Sequence, residues 1–272
     1  MKRSLRLPLH HLVLPFLFVA GEAAANPRPL PMTYTSETMP KGGAELEAFI
    51  DFTPLRALSS SQGVPTWYLA SVFQIEFEYA FTDRVEFALY LTLTPDPGDA
   101  YTSSAILTEG NGAKQRVRWS LAPPGEWPID VNLYTELVEN QRAFEVEAKV
   151  ILQRRFGNLR LVTNLTFEEE LYYTDQRDHE LEISLGATYE VLPELHVGLE
   201  GWSHTEWPDP SPAVRPYGLG PHVYLGPTVM FTFGRFFYTC GAYVRLTDFD
   251  HGMQPGEPYG AVWMRAILGI DL

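Results

Sequence analysis

Between Arg142 and Phe167 the chain reads RAFEVEAKVILQRRFGNLRLVTNLTF, two runs of alternating residues around a break that contains one glycine. Successive side chains on a strand point to opposite faces. A period of two therefore places Phe144, Val146, Ala148, Val150 and Leu152 on one face and Glu145, Glu147, Lys149 and Ile151 on the other. After the break Leu159, Leu161, Thr163, Leu165 and Phe167 alternate in the same way with Arg160, Val162, Asn164 and Thr166. The stretch reads as one β-hairpin with an apolar face and a mostly polar one. With Phe156 and Gly157 as its two-residue connection, Lys149 faces Asn164 and Val150 faces Thr163.

The pattern repeats along the chain. Period-two runs occupy 44–52, 66–79, 85–93, 116–121, 130–137, 144–152, 159–167, 180–190, a run beginning at Leu195, 223–233, 236–246 and 262–272. That is about twelve strands of roughly ten residues, an even number, as single-chain transmembrane barrels require. Connections are long after strands one, three, seven, nine and eleven and short after two, six, eight and ten; only those after four and five break the rule. Outer-membrane barrels show this parity, with short periplasmic turns and long outside loops, whereas a soluble sandwich has no reason to. Aromatic residues near strand ends, among them Trp67, Tyr79, Trp119, Phe167, Tyr189, Phe233 and Phe236, suit interfacial girdles. The expected fold is all-β, an antiparallel up-and-down transmembrane β-barrel over 44–272.

Residues 1–25 read as a cleaved signal peptide. Lys2, Arg3 and Arg6 form a basic start, Leu12 to Ala20 an apolar core, and Ala23, Ala24 and Ala25 a small-residue cleavage site. The apolar run is too short for the ~20 residues of a spanning helix, and Pro8 and Pro15 interrupt it. Residues 26–43, Pro-rich and polar, are expected as a periplasmic N-terminal segment ahead of the barrel. The formal charge is −14, and losing a basic leader makes the remainder more acidic, so nucleic acid is disfavoured as a partner. Cys240 is the only cysteine, so no intramolecular disulfide forms even after export. A mean hydropathy of −0.12 decides nothing, because each membrane strand is only half apolar.

Three runs carry a resemblance: ETMPKGGAELE at the start, FEVEAKVIL with FGNLRLVTNL, and the Gly226–Pro227 pair. They resemble uncharacterised outer-membrane β-barrel proteins classed as transporters, related to the phenol-degradation MetA-like group. The resemblance implies a barrel in the bacterial outer membrane and no particular reaction.

The polar faces nominate a lumen. Candidates to line it are Glu45 and Glu47 on the first strand, Glu76 and Glu78 on the second, Glu86 on the third, and Arg116 and Arg118 on the fourth. Glu136, then Glu145, Glu147 and Lys149, then Asn164, continue the set, which ends with Glu180, Glu182, Glu190, His196 and Glu200. Acids outnumber bases, so one reading is a porin-like pore for small polar or cationic solutes, in which Glu76→Gln and Glu78→Gln reduce cation conductance. The other is a plugged structural or adhesive barrel, with Arg116 and Arg118 paired to Glu86 or Glu136 and the Pro-rich loop 203–221 meeting a partner. Other expected partners are outer-membrane lipid and, during insertion, the barrel-assembly machinery. Cofactors and catalytic residues are not expected. Ser203 and His204 are adjacent and on a strand point to opposite faces, which disfavours a lipid hydrolase. Asp248, Asp250 and His251, with His204 or His222, lack the spacing of a known metal site, so none is expected.

Overall fold

The computed structural model describes residues 27–57, 66–93, 112–140, 142–209 and 220–272. The expected signal peptide and most of the central part of the Pro-rich loop 203–221 lie outside these residues. Twelve strands run in order: β1 (Ala44–Arg56), β2 (Trp67–Thr82), β3 (Val85–Leu93), β4 (Gly112–Ser120), β5 (Asp130–Asn140), β6 (Ala143–Phe156), β7 (Leu159–Tyr172), β8 (Arg177–Leu192), β9 (Leu195–Asp209), β10 (His222–Phe233), β11 (Phe236–Arg245) and β12 (Val262–Asp271). Each pairs antiparallel with its neighbours in sequence, and β12 closes on β1 with Leu46 opposite Ile270 and Phe52 opposite Met264. The all-β barrel expected from alternation is the fold.

Alternation settles which side of the wall each residue occupies. On the outward face of the strands, Asp, Glu, Lys and Arg occur only as Arg56, Glu139, Arg154, Glu169, Arg177 and Asp209, each within four positions of one end of its strand. Between these ends the outer wall is apolar and exposed, with Leu69, Leu91, Leu185 and Leu199 all more than half accessible. Tyr79, Phe81, Trp119, Phe156, Tyr189, Phe233 and Phe236 face outward near one end of the barrel, and Trp67, Phe167 and Trp207 toward the other.

The turns 83–84, 157–158, 193–194 and 234–235, together with the start of β1 and the end of β12, mark the first of these ends, called here the turn end. The opposite, loop end carries the connections 57–66, 94–111, 210–221 and 246–261, and also the short 141–142 and 173–176. The long seventh connection expected from the acidic run Glu168 to His179 is therefore a correction. β7 and β8 continue through it, with Glu168 opposite Glu180 and Leu171 opposite Arg177. Its acids occupy inward positions of an unbroken alternation, so acidity there marks the lumen and not a loop.

The hairpin β6–β7 turns one residue later than the sequence predicts. Phe156 pairs with Leu159, which makes Gly157 and Asn158 the connection, and Lys149 faces Thr166 while Val150 faces Leu165. Phe156 keeps the strand's alternation as an exposed outward ring, and Gly157 takes φ +60°, the first central position at which a II′ hairpin turn wants glycine. The register moves by two residues, so every side chain keeps its face. The pairing of His196 with Glu190, expected from the Leu192–Pro193–Glu194 turn, is present, with an irregularity at Val191.

Candidate functional site

All of the nominated lumen residues point inward. Glu45, Glu47, Glu76, Glu78, Glu86, Arg116, Arg118, Glu136, Lys149, Asn164 and Glu200 are buried, whereas Glu145, Glu147, Glu180, Glu182, Glu190 and His196 keep partial access to solvent. Burial of so many charges is costly unless each finds partners. Their partners come largely from a part of the chain assigned elsewhere.

Residues 27–39, expected as a periplasmic lead-in, lie inside the ring of strands. Met32 and Thr33 donate their amides to Glu200 Oε1 at 3.0 and 2.5 Å. The Tyr34 amide donates to Asn164 Oδ1 at 2.7 Å, and Asn164 Nδ2 returns a bond to the Tyr34 carbonyl at 2.9 Å. Ser36 donates to Gln153 Oε1 at 3.1 Å and accepts from Asn132 Nδ2 at 2.9 Å; Met39 donates to Glu86. Arg28 meets Glu47 at 3.1 Å and Glu76 at 3.6 Å, and its carbonyl accepts from Thr239 Oγ1. The segment thus touches inward side chains of strands on every side of the lumen. It forms no ladder with any of them, so its backbone groups are satisfied side chain by side chain. Three prolines, Pro27, Pro29 and Pro31, suit such a strand-free path because they carry no N–H to leave unpaired.

At its centre sits the Tyr34 ring. The Arg28 guanidinium stacks over it at 3.9 Å, Lys149 Nζ lies 4.6 Å from the ring centre, and its hydroxyl is 3.0 Å from that of Tyr90. Tyr90 and Tyr134 flank Arg116, each with its ring centre 5.7 Å from the guanidinium carbon. Arg116 is fully buried, 2.9 Å from Glu76 and in contact with Glu78. Arg118 contacts Glu86, as the sequence allows, and Glu136 takes Lys114 at 3.1 Å in place of Arg116 or Arg118. A second cluster, Trp202, Tyr224 and Tyr243, packs against Met32, and the Tyr243 hydroxyl donates to Glu200. These inward aromatics carry no charge pattern and escape a search for polar lumen residues. Leu30, Met32 and Tyr34, at every second position of a Pro-rich stretch, are the signal in the sequence that it packs against something.

Toward the loop end the lining becomes acidic. Glu145, Glu147, Glu168, Glu170, Glu180, Glu182 and Glu206 all face inward on β6 to β9, with Lys114 and Lys149 as the nearby bases. Hydrogen bonds hold some of them: Asn140 Nδ2 donates to Glu145 at 2.6 Å and Tyr172 to Glu170 at 2.6 Å. Ser203 faces outward and donates to the Ile183 carbonyl at 3.5 Å, while His204 faces inward, so the two form no nucleophile–base pair.

No family profile and no curated protein matches the chain. Its fold is similar to that of the COG4313 outer membrane channel from Pseudomonas putida F1, with a TM-score of 0.54 at 11% identity over 87% of this chain and 98% of that one. It is also similar to the NanC porin, at 0.54 and 8% over 83% and 98% of the two chains. The KdgM porin follows at 0.52 and 6%, over 84% and 99%. At such identities the likeness is one of fold: a closed twelve-stranded antiparallel barrel of the kind found in outer-membrane channels and porins.

Proposed function

We propose that this protein is an outer-membrane barrel whose lumen is a pore for small polar or cationic solutes, closed in the described state by its own residues 27–39. An apolar wall free of charge except at strand ends suits lipid, where every backbone group must be satisfied within a closed sheet. Channels and porins share the fold, and the resemblance of FEVEAKVIL and FGNLRLVTNL to transporter-like barrels implies the same role. Export on the 1–25 leader and insertion by the barrel-assembly machinery belong to this reading.

The observation that carries it is how the lumen is filled. A barrel built only as a structural wall would close its interior with its own side chains, yet here the wall leaves a small residue opposite the segment. A Cβ on Gly186 would lie 2.3 Å from Leu30 Cδ1 and 3.1 Å from Leu30 Cδ2, so only glycine there admits the Leu30 side chain. Space in the wall is reserved for a separate piece of chain. Deleting residues 27–39 and recording currents across a planar bilayer tests the reading. The shortened chain, shown to be folded by heat-modifiable mobility on a gel, is expected to pass cation-selective currents well above those of the full chain. Currents no larger than the full chain's would show that the wall closes itself and that the barrel is structural.

A further inference from the structure

Near the loop end, three side chains from two strands and one loop converge on the His204 Nε2 nitrogen. Glu180 on β8 stands directly opposite Glu206 on β9, and His204 lies two residues along β9 on the same inward face. Glu206 Oε1 is 2.9 Å from His204 Nε2, and Glu180 Oε2 is 3.8 Å from it. The three ligating atoms all lie within 4.8 Å of one another. Tyr259, from the connection 246–261, sets its hydroxyl 2.7 Å from the same nitrogen and donates to Glu206. His222, the Cα partner of His204 on β10, stacks on the Tyr259 ring at 4.5 Å and closes the far side.

We infer that Glu180, His204 and Glu206 bind a divalent transition-metal cation of the zinc class at the loop-end mouth. The distances fit. Zinc bonds to nitrogen and carboxylate oxygen run near 2.0–2.2 Å in tetrahedral sites, which separates neighbouring ligand atoms by about 3.3 Å. The two nitrogen-to-oxygen separations, 2.9 and 3.8 Å, bracket that value, and the three ligand atoms already lie within 4.8 Å of one another. The donors fit as well. One imidazole nitrogen with two carboxylates suits zinc, whereas calcium and magnesium favour oxygen-only shells and copper(I) favours sulfur.

Two carboxylates and a phenol surround one imidazole nitrogen that can donate or accept a single hydrogen. A cation would take the nitrogen lone pair and both carboxylates together. Tyr259 then acts as an orienting group, its hydroxyl fixing the Glu206 carboxylate that faces the ion. Three protein ligands leave a coordination position for water, which makes the ion exchangeable. Glu168, Glu170 and Glu182 on the surrounding wall add negative potential that draws a cation to the mouth.

The inference does not depend on the pore, because binding is measured on the closed, full chain. Metal-stripped protein in detergent, titrated with Zn2+ in a calorimeter, is expected to bind one ion per chain, with Ca2+ at equal concentration failing to compete. His204→Ala and the pair Glu180→Gln with Glu206→Gln should abolish that binding. Tyr259→Phe should weaken it by about 10- to 100-fold, as loss of a group that orients a ligand does. His179→Ala, whose ring lies on the outer wall against Phe167, should leave it unchanged in a chain of normal heat-modifiable mobility. No stoichiometric Zn2+ binding by the full chain, or binding that survives His204→Ala, or effective competition by Ca2+, overturns the inference.

Discussion

Glu37 is the residue that ties the inserted segment to the wall at the turn end. Its Oε1 accepts from Gln153 Nε2 at 2.8 Å, contacts Arg155 and lies 3.4 Å from Arg160. Burial alone would push the carboxyl up, but the Arg160 and Arg155 guanidiniums outweigh it and hold the pKa down at about 2. A carboxyl depressed in the folded state contributes fully above its free value near 4.5, and the contribution fades as pH falls through about 2. Hydrogen exchange of the peptide spanning 30–39 is therefore expected to quicken as pH is lowered from about 4.5 toward 2, after correction for the intrinsic exchange rate. Glu37→Gln should exchange faster already at neutral pH and show a smaller rise across that window. An unchanged pH dependence in Glu37→Gln would mean that this carboxylate does not anchor the segment.

Between β8 and β9 the anchoring is by shape. Gly186 leaves a notch in the inward wall, and Leu30 fills it beside the cluster of Tyr134, Ile151 and Val162. Gly186→Val places side-chain volume where Leu30 sits and should raise conductance toward that of the 27–39 deletion. Leu30→Ala in the same chain should restore part of the closure, and a Gly186→Val barrel with unaltered conductance would show that the notch does not hold the segment. This element is also where the sequence stops being informative. Alternation tells which face of Gly186 or Glu200 is inward, because the period is a property of the strand itself. It does not place segment 27–39, which pairs with no strand: Leu30, Met32 and Tyr34 mark it as packing against something without saying what. The same local logic explains both strand-level errors. Phe156 extends one strand by its alternation, which fixes facing but leaves the turn position to the conformation of Gly157, and the acids of 168–180 resemble a solvated loop until the lumen gives them a side to face. The inward glutamates were legible one by one, but not which of them arginines neutralise, since Arg116 reaches Glu76 and Glu78 two strands away.

Across the whole barrel, charge is distributed unequally along the axis. Deeper in the lumen most carboxylates meet a guanidinium: Glu47 and Glu76 meet Arg28, Glu76 and Glu78 meet Arg116, Glu86 meets Arg118, and Asp51 meets Arg265 through two bonds of 2.6 and 2.7 Å. At the loop end seven inward glutamates face Lys114 and Lys149, so the field that an entering ion meets is set there. This moves the expected determinants of selectivity from Glu76 and Glu78 to the mouth. In the chain lacking 27–39, Glu168→Gln with Glu182→Gln should lower the cation-to-anion permeability ratio measured from reversal potentials. The loss should be large at 0.1 M salt and small at 1 M, because the screening length falls from about 10 Å to about 3 Å. Glu76→Gln with Glu78→Gln should behave differently. In the full chain it leaves Arg116 buried beside neutral partners, at a cost of roughly 3–5 kcal/mol for a broken buried pair, so it should lower the temperature at which the folded gel band is lost. If the central pair and not the mouth pair governed the reversal potential, the bare guanidinium of Arg116 would have to project into the conducting path, and the solute would be selected at the middle of the barrel.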